Sequence, residues 1–185
     1  GVADPGNAGT LLRSAEAAGA GAVAFCDSAV DPYGPKCVRA SAGSLFRLAV
    51  VRDAPVDDVL VALRAGGVTS VATVPTDLAA GEGAGAGDAD PTLGAVPYDR
   101  VDLASRPVAV LLGNEAHGLH PALTVPVDRV VTIPMAGATE SLNVAMAGTI
   151  VCFESLRQRR LADGGPGPAN RLDGAPPRAA GCSPT

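Results

Sequence analysis

Five short apolar runs punctuate the first 133 residues: AVAFC at 22–26, RLAVV at 47–51, VTSVATV at 68–74, VAVLL at 108–112 and RVVTI at 129–133. Runs this short and this continuously apolar read as strands covered on both faces, the condition of a parallel sheet. Parallel neighbours need long crossovers, and two of the intervening stretches have helical periodicity. From about Ala8 to Ala18, Leu11, Leu12, Ala15 and Ala18 share one side, with Asn7 placed to cap the helix and Gly19 to end it. From about Pro55 to Ala65, Val59, Leu60 and Leu63 point inward, Pro55 sits in the first turn and Gly66 follows. The alternation predicts an α/β fold, a mostly parallel sheet flanked by helices.

A last helix is written in Leu142, Met146, Ile150, Phe153 and Leu156, whose steps of four and three put them on one face, read as core or dimer interface. Arg157, Arg159 and Arg160 stand at its end, where the helix dipole favours cations. Residues 1–160 thus read as one domain. Residues 161–185 turn to Gly, Pro and Ala without periodicity and read as a disordered tail. Residues 79–97 read as a long surface loop; despite their glycines they contain no G-x-G-x-x-G and open no helix.

Composition narrows the function classes. A chain of 185 residues, 47% hydrophobic and 18% charged, is too apolar for disorder throughout and fits one domain with a real core. No apolar run approaches the roughly 20 residues of a membrane helix, and the first residues lack a signal-peptide layout, so a soluble, cytoplasmic protein is expected. With 14 basic and 19 acidic residues the net charge is −5, which disfavours long-range attraction to nucleic acid but leaves local arginine contacts to phosphate open. Five aromatics and no Trp argue against a sheet that stacks successive bases. Cys26, Cys37, Cys152 and Cys182 form no C-x-x-C pair, and His117 and His120 have no partnering Cys, so neither a disulfide framework nor a metal site is expected.

Packing leaves three polar segments unexplained. Asp4-Pro5-Gly6-Asn7-Ala8-Gly9 leads into Thr10 and Arg13. Leu112-Gly113-Asn114-Glu115-Ala116-His117-Gly118-Leu119 follows an apolar run directly, and Thr139-Glu140-Ser141-Leu142-Asn143-Val144-Ala145 opens the last helix. Ligands of open α/β sheets sit beyond the carboxyl ends of strands, where the second and third segments fall.

Together these segments resemble the SpoU (TrmH-like) family of RNA ribose 2′-O-methyltransferases, of the SPOUT class, over about residues 3–160. The carrying motifs are N-x-G-x-x-x-R at Asn7, Gly9 and Arg13, L-G-N-E-x-x-G-L at 112–119, and S-L-N-V-A at 141–145 with the trailing F-E-x-x-R-Q-R of 153–159. Arg39-Ala40-Ser41-Ala42-Gly43-Ser44 fits the same pattern. The resemblance implies a C-terminal trefoil knot, a homodimer built around the last helix, S-adenosylmethionine as cofactor, and rRNA or tRNA as partner. It also implies a strand before the first motif, for which Gly1–Ala3 leave no room, so the chain reads as truncated at its N-terminus.

By the same resemblance the cofactor lies among three loops. Thr73 and Val74 come from the first, Gly113 and Asn114 from the second, and Ile133, Met135 and Leu142 from the third. Arg13 is implied as the catalytic arginine. A guanidinium stays protonated, so its natural task is to bind the target phosphate and stabilise the forming alkoxide. A surface pair with Glu16 is the structural alternative. Asn7 positions Arg13 or RNA, or simply caps its helix; Glu115 orders Arg13 or Asn7 from across the site. Of Ser141 and Asn143, one caps the last helix and the other reaches the substrate, with Ser141 the stronger cap. A catalytically silent RNA-binding or assembly protein of the same fold is the rival reading.

Overall fold

The computed structural model describes residues 1–27, 29–75, 94–113, 124–139 and 141–164. Helix α1 (Pro5–Ala17) leads into strand β1 (Ala22–Cys26), helix α2 (Pro35–Ala40) and strand β2 (Ala49–Ala54). Helix α3 (Val56–Ala65), β3 (Thr69–Val74), β4 (Val96–Pro97), β5 (Val108–Leu111), β6 (Arg129–Thr132) and α4 (Val144–Ala162) follow. All five apolar runs are strands, and every strand pairing is parallel. Among the described residues the strands make two sheets, β1-β2 and β4-β6-β3-β5.

Helix α1 starts three residues earlier than its apolar periodicity predicts. Its N-cap is Asp4, whose Oδ1 accepts from the Asn7 N–H at 2.9 Å, and Pro5 occupies the first turn. Asn7 is therefore inside the helix, and the capping role expected of it belongs to Asp4. Proline explains the shift, because its fixed φ and missing N–H suit the first helical position. Helix α3 runs to Ala65 with Gly66 as C-cap and Leu60 buried, as expected, but Pro55 is its N-cap rather than part of the first turn, and Val59 and Leu63 are half-buried.

Two cores form. Val2, Ala8, Leu12, Phe25, Cys37 and Leu45 pack around α1 and β1, and Val71, Leu103, Val131 and Val151 pack between the larger sheet and α4. Full burial of each Leu or Val side chain stabilises by about 1.5–3 kcal/mol. Helix α1 approaches α2 closely because position 9 is glycine: a Cβ there would stand 2.8 Å from the Ala40 carbonyl carbon and 2.9 Å from Cys37 O.

On helix α4 the expected stripe is not the core face. Its buried residues are Ala145, Gly148, Val151, Glu154 and Ser155, whereas Leu142, Met146 and Phe153 are exposed. The face turned inward is the one with small residues, since a Cβ on Gly148 would collide with Leu11 Cδ2 and sit 2.7 Å from Leu112 Cδ1. Closeness of approach, rather than side-chain size, decides which face is covered. The helix runs through Ala162, one residue past the expected start of the tail; residues 165–185 lie outside the described residues.

Polar side chains hold α4 to the segment before β5. Gln158 Nε2 donates to Val101 O at 3.0 Å while its Oε1 accepts from Leu103 N at 2.8 Å, and Ser155 Oγ donates to Leu103 O at 2.8 Å. Arg157 grips Glu154 at 2.6 and 2.7 Å, and that hydrogen bonding holds the Glu154 carboxyl below its ordinary range against the opposing effect of burial. The trailing F-E-x-x-R-Q-R thus builds structure, with Arg159 donating to Ala18 O at 3.3 Å.

Candidate active site

The order β6-β3-β5 makes the ends of three parallel strands neighbours. The last pair between β3 and β5 is Ala72 with Leu111, and that between β3 and β6 is Val74 with Thr132. Continued two residues, the register sets Gly113 level with Val74, and Ile133 follows immediately after Thr132. Neighbouring strands lie about 4.8 Å apart, so these three ends span roughly 10 Å, the width of a nucleoside. Thr73 Oγ1 donates to Leu111 O at 3.2 Å and ties β3 to β5 at this edge. Thr73, Val74, Gly113, Ile133 and Met135 are all half-buried, and Leu142 is 37% exposed. Apolar side chains beside main-chain groups at the strand ends fit the adenosine part of a sulfonium cofactor. The expected cofactor residue Asn114 lies outside the described residues, as does Glu115.

The entry to β6 is held from the opposite end. Asp128 Oδ2 accepts from Ser70 N at 2.8 Å and Ser70 Oγ at 2.7 Å. Burial acts to raise the Asp128 pKa, but these bonds from Ser70, with Arg64 and Arg129 nearby, outweigh it and lower it. Asp57, at the start of α3, accepts from the N–H groups of Thr124 and Val125 and from the Thr124 hydroxyl. These carboxylates fix the chain leading to Ile133.

Segments one and three meet at the N-terminal ends of α1 and α4. Asn143 caps α4: its Oδ1 accepts from Ala145 N at 2.9 Å and Met146 N at 3.3 Å, while its Nδ2 donates to Asn7 Oδ1 at 3.0 Å. The expected assignment of Ser141 as the stronger cap is corrected, for Ser141 is exposed and two residues outside the cap. The hydroxyls of Ser14 and Thr149 join at 2.7 Å, one level further along both helices. Thr149 Oγ1 donates to Ala145 O, so Ser14 supplies the hydrogen. Residue numbers rise together across these contacts, so α1 and α4 run parallel with both N-termini at the same end.

Arg13 is exposed on α1, six residues beyond Asn7 and so about 9 Å further along the axis. Its structural alternative fails: Glu16 accepts from Arg47 Nε at 3.0 Å and from Ser44 Oγ at 3.4 Å. Among the described residues no hydrogen bond or ion pair engages the Arg13 guanidinium. The structure therefore brings Asn7 to Asn143 and aligns the strand ends, and leaves Arg13 unattached. Gln158 and Glu154, to which the sequence alone gives no role, stand at i, i+4 on α4, a spacing that signals a shared polar contact.

The profile of the SpoU rRNA Methylase family matches residues 1–153. The chain belongs to this family. Among its SpoU-type relatives, a 23S rRNA (uridine(2479)-2′-O)-methyltransferase of Streptomyces viridochromogenes is 40% identical over 158 residues, which are 84% of this chain and 50% of that protein. A 23S rRNA (guanosine(2553)-2′-O)-methyltransferase of Bacillus subtilis (strain 168) is 35% identical over 82% of this chain and 54% of its own length. The chain spans about half the length of the curated relatives it matches. An AdoMet-bound rRNA methyltransferase from Sinorhizobium meliloti superposes with a TM-score of 0.70 at 37% identity, covering 84% of this chain and 53% of that one. The AdoMet complex of a SpoU methyltransferase from S. viridochromogenes gives 0.69 at 37% identity, over 85% of this chain and 57% of that one.

Proposed function

We propose that this SpoU-family chain carries the methyltransferase domain of an S-adenosylmethionine-dependent enzyme that methylates a ribose 2′-hydroxyl of rRNA or tRNA. The observation that carries the reading is the bond between Asn7 and Asn143, which joins two of the three motif segments, while Gly148 of the same helix lies against Leu112 just past β5. Relatives named as 2′-O-methyltransferases and AdoMet-bound neighbours support it.

Bound S-adenosylmethionine supplies an electrophilic methyl group. Val74, Ile133 and Leu142 offer apolar contact to its adenosine, and main-chain groups of Gly113, Ile133, Met135 and Leu142 offer hydrogen bonds; Thr73 keeps the β3 and β5 ends in place, and Asn114 belongs to the same set. Arg13 holds the target phosphate and stabilises the negative charge growing on the ribose oxygen as its proton leaves. Asn7 and Asn143 fix the N-terminal ends of the two helices that carry this machinery. Glu115 and Ser141 complete the proposed catalytic set.

The finer family features belong to the same reading: a C-terminal trefoil knot, a homodimer and a cytoplasmic location. Exposed Leu142, Met146 and Phe153 on α4 support the dimer, because an uncovered apolar stripe marks an interaction surface. Among the described residues no helix is long and apolar enough to cross a membrane.

Arg13→Ala tests the assignment. Its methyl transfer to 23S rRNA is expected to fall about 10²–10³-fold, the usual effect of removing a transition-state charge donor. S-adenosylmethionine affinity by calorimetry is expected to stay at the parental value. Equal transfer by parent and variant would refute the role of Arg13.

A further inference from the structure

Tyr33 is one of five aromatic residues, and its side chain is 49% exposed at the end of the molecule that carries Asn7. The surrounding loop is built to hold it there. Pro32 before it is fully buried, and Pro35 opens α2 two residues later. Asp31 accepts from the Tyr33 N–H at 3.0 Å through Oδ1 and from the Gly34 N–H at 3.1 Å through its carbonyl oxygen. The backbone at Tyr33 is fixed in this way, so the loop has little conformational entropy left to lose on binding.

Arg52 lies over the ring, its guanidinium carbon 5.7 Å from the centroid. That guanidinium is also 3.9 Å from Asp31 and 3.6 Å from Asp53, so two carboxylates outnumber its single charge. That negative excess makes the pair a poor phosphate site and leaves stacked planes as its chemistry.

A chain of bonds connects the loop to the candidate ribose site. Lys36, three residues beyond Tyr33, pairs with Asp4 at 3.3 Å. Asp4 accepts from Asn7 N, and Asn7 accepts from Asn143. Tyr33 thus stands on the loop leaving the carboxyl end of β1, beside the start of α1 where segments one and three meet.

We propose that Tyr33, backed by Arg52, is a stacking platform for one unpaired base of the RNA next to the methylated nucleotide. The inference rests on the reading of the chain as an RNA methyltransferase. Unpaired bases are what side chains read in RNA, and an aromatic face takes any base because every base has a π-face. The carboxylates of Asp31 and Asp53 repel the backbone and select the base over the phosphate. One platform at the site's edge agrees with a chain too poor in aromatics to stack several bases.

The test is the kinetics of methyl transfer by the full chain to a 23S rRNA transcript at saturating S-adenosylmethionine. Tyr33→Ala is expected to raise KM for the transcript about tenfold, as for loss of one stacked base. It should leave kcat and cofactor affinity unchanged, and Tyr33→Phe should restore the parental KM. Tyr33→Leu keeps apolar bulk without an aromatic face and gives the same rise if Tyr33→Ala melts early. A parental KM in Tyr33→Ala or Tyr33→Leu, with the parent active, overturns the platform alone, as does a Tyr33→Phe as impaired as Tyr33→Ala. A folded parent that neither methylates nor retains the transcript in filter binding overturns the enzymatic reading and the platform with it.

Discussion

Asn143 Nδ2 donates to Asn7 Oδ1 at 3.0 Å across 136 residues of sequence, while the other end of the same amide caps α4. One side chain thereby serves local helix chemistry and long-range assembly together. Asn143→Ala removes the cap and the tie, and is expected to cost about 1–2 kcal/mol in urea unfolding. Asn7→Ala removes the tie and leaves the Asn143 cap in place. A double-mutant cycle should give a coupling of about 0.5–1 kcal/mol, and additivity would show that the contact carries no energy.

Gly148 and Gly9 predict two grades of damage. Alanine at 148 presses on Leu11 and Leu112 side chains, which can shift, and should cost about 1–3 kcal/mol. Alanine at 9 presses on the backbone of Cys37 and Ala40 and should cost more. Displaced Leu112 adjoins Gly113, so Gly148→Ala should also weaken S-adenosylmethionine binding in calorimetry, whereas Gly9→Ala should act on the melting midpoint first.

Acid should loosen α4 through Glu154. Hydrogen bonds from Arg157 come first in lowering its pKa from the ordinary 4.5, burial opposes them, and Gln158 adds to them. A carboxyl with a depressed folded-state pKa contributes stability above its unfolded value and loses it as pH falls through the folded one. The urea midpoint of the parent should therefore hold near neutrality and drop below about pH 4.5, the ordinary value. Glu154→Gln should start lower at neutral pH and lose less on acidification; an identical pH profile would remove Glu154 from the account.

The strand ends predict that bulk at Gly113 is harmful to the cofactor. Gly113→Val should weaken S-adenosylmethionine binding by at least about tenfold, equivalent to 1.4 kcal/mol. Its effect on the melting midpoint should be small, since Gly113 lies beyond the last β5 pair. Parental affinity in a folded variant would move the cofactor away from this edge.

Much of the fold was legible because strand periodicity is local. AVAFC and VAVLL announce parallel strands, and β1 and β5 fall within a residue of those runs, but the expected cover on both faces is not met: Ala22 and Ala24 of β1 are exposed and β5 is half-buried. The N-terminus of α1 was less legible, since Asn7 is as good a cap type as Asp4 and only the Pro5 position separates them. Of the two readings of the α4 stripe, core or dimer interface, the core one fails for a physical reason. Large apolar residues usually point inward, but Gly148 lets α1 come so close that Ala145, Gly148 and Val151 are the covered residues. Long-range pairings such as Glu16 with Arg47 leave no periodic trace, so the competing partner of Glu16 became visible only in three dimensions.

Methyl transfer to a ribose 2′-hydroxyl leaves a chemical mark that one measurement reads directly. Incubate the chain with methyl-labelled S-adenosylmethionine and an unmodified 23S rRNA transcript, then hydrolyse the RNA in alkali. A 2′-O-methyl removes the hydroxyl that attacks the neighbouring phosphate, so label is predicted in an alkali-resistant dinucleotide and absent in the Arg13→Ala control. Label released only as mononucleotide would place the methyl on a base and contradict the account.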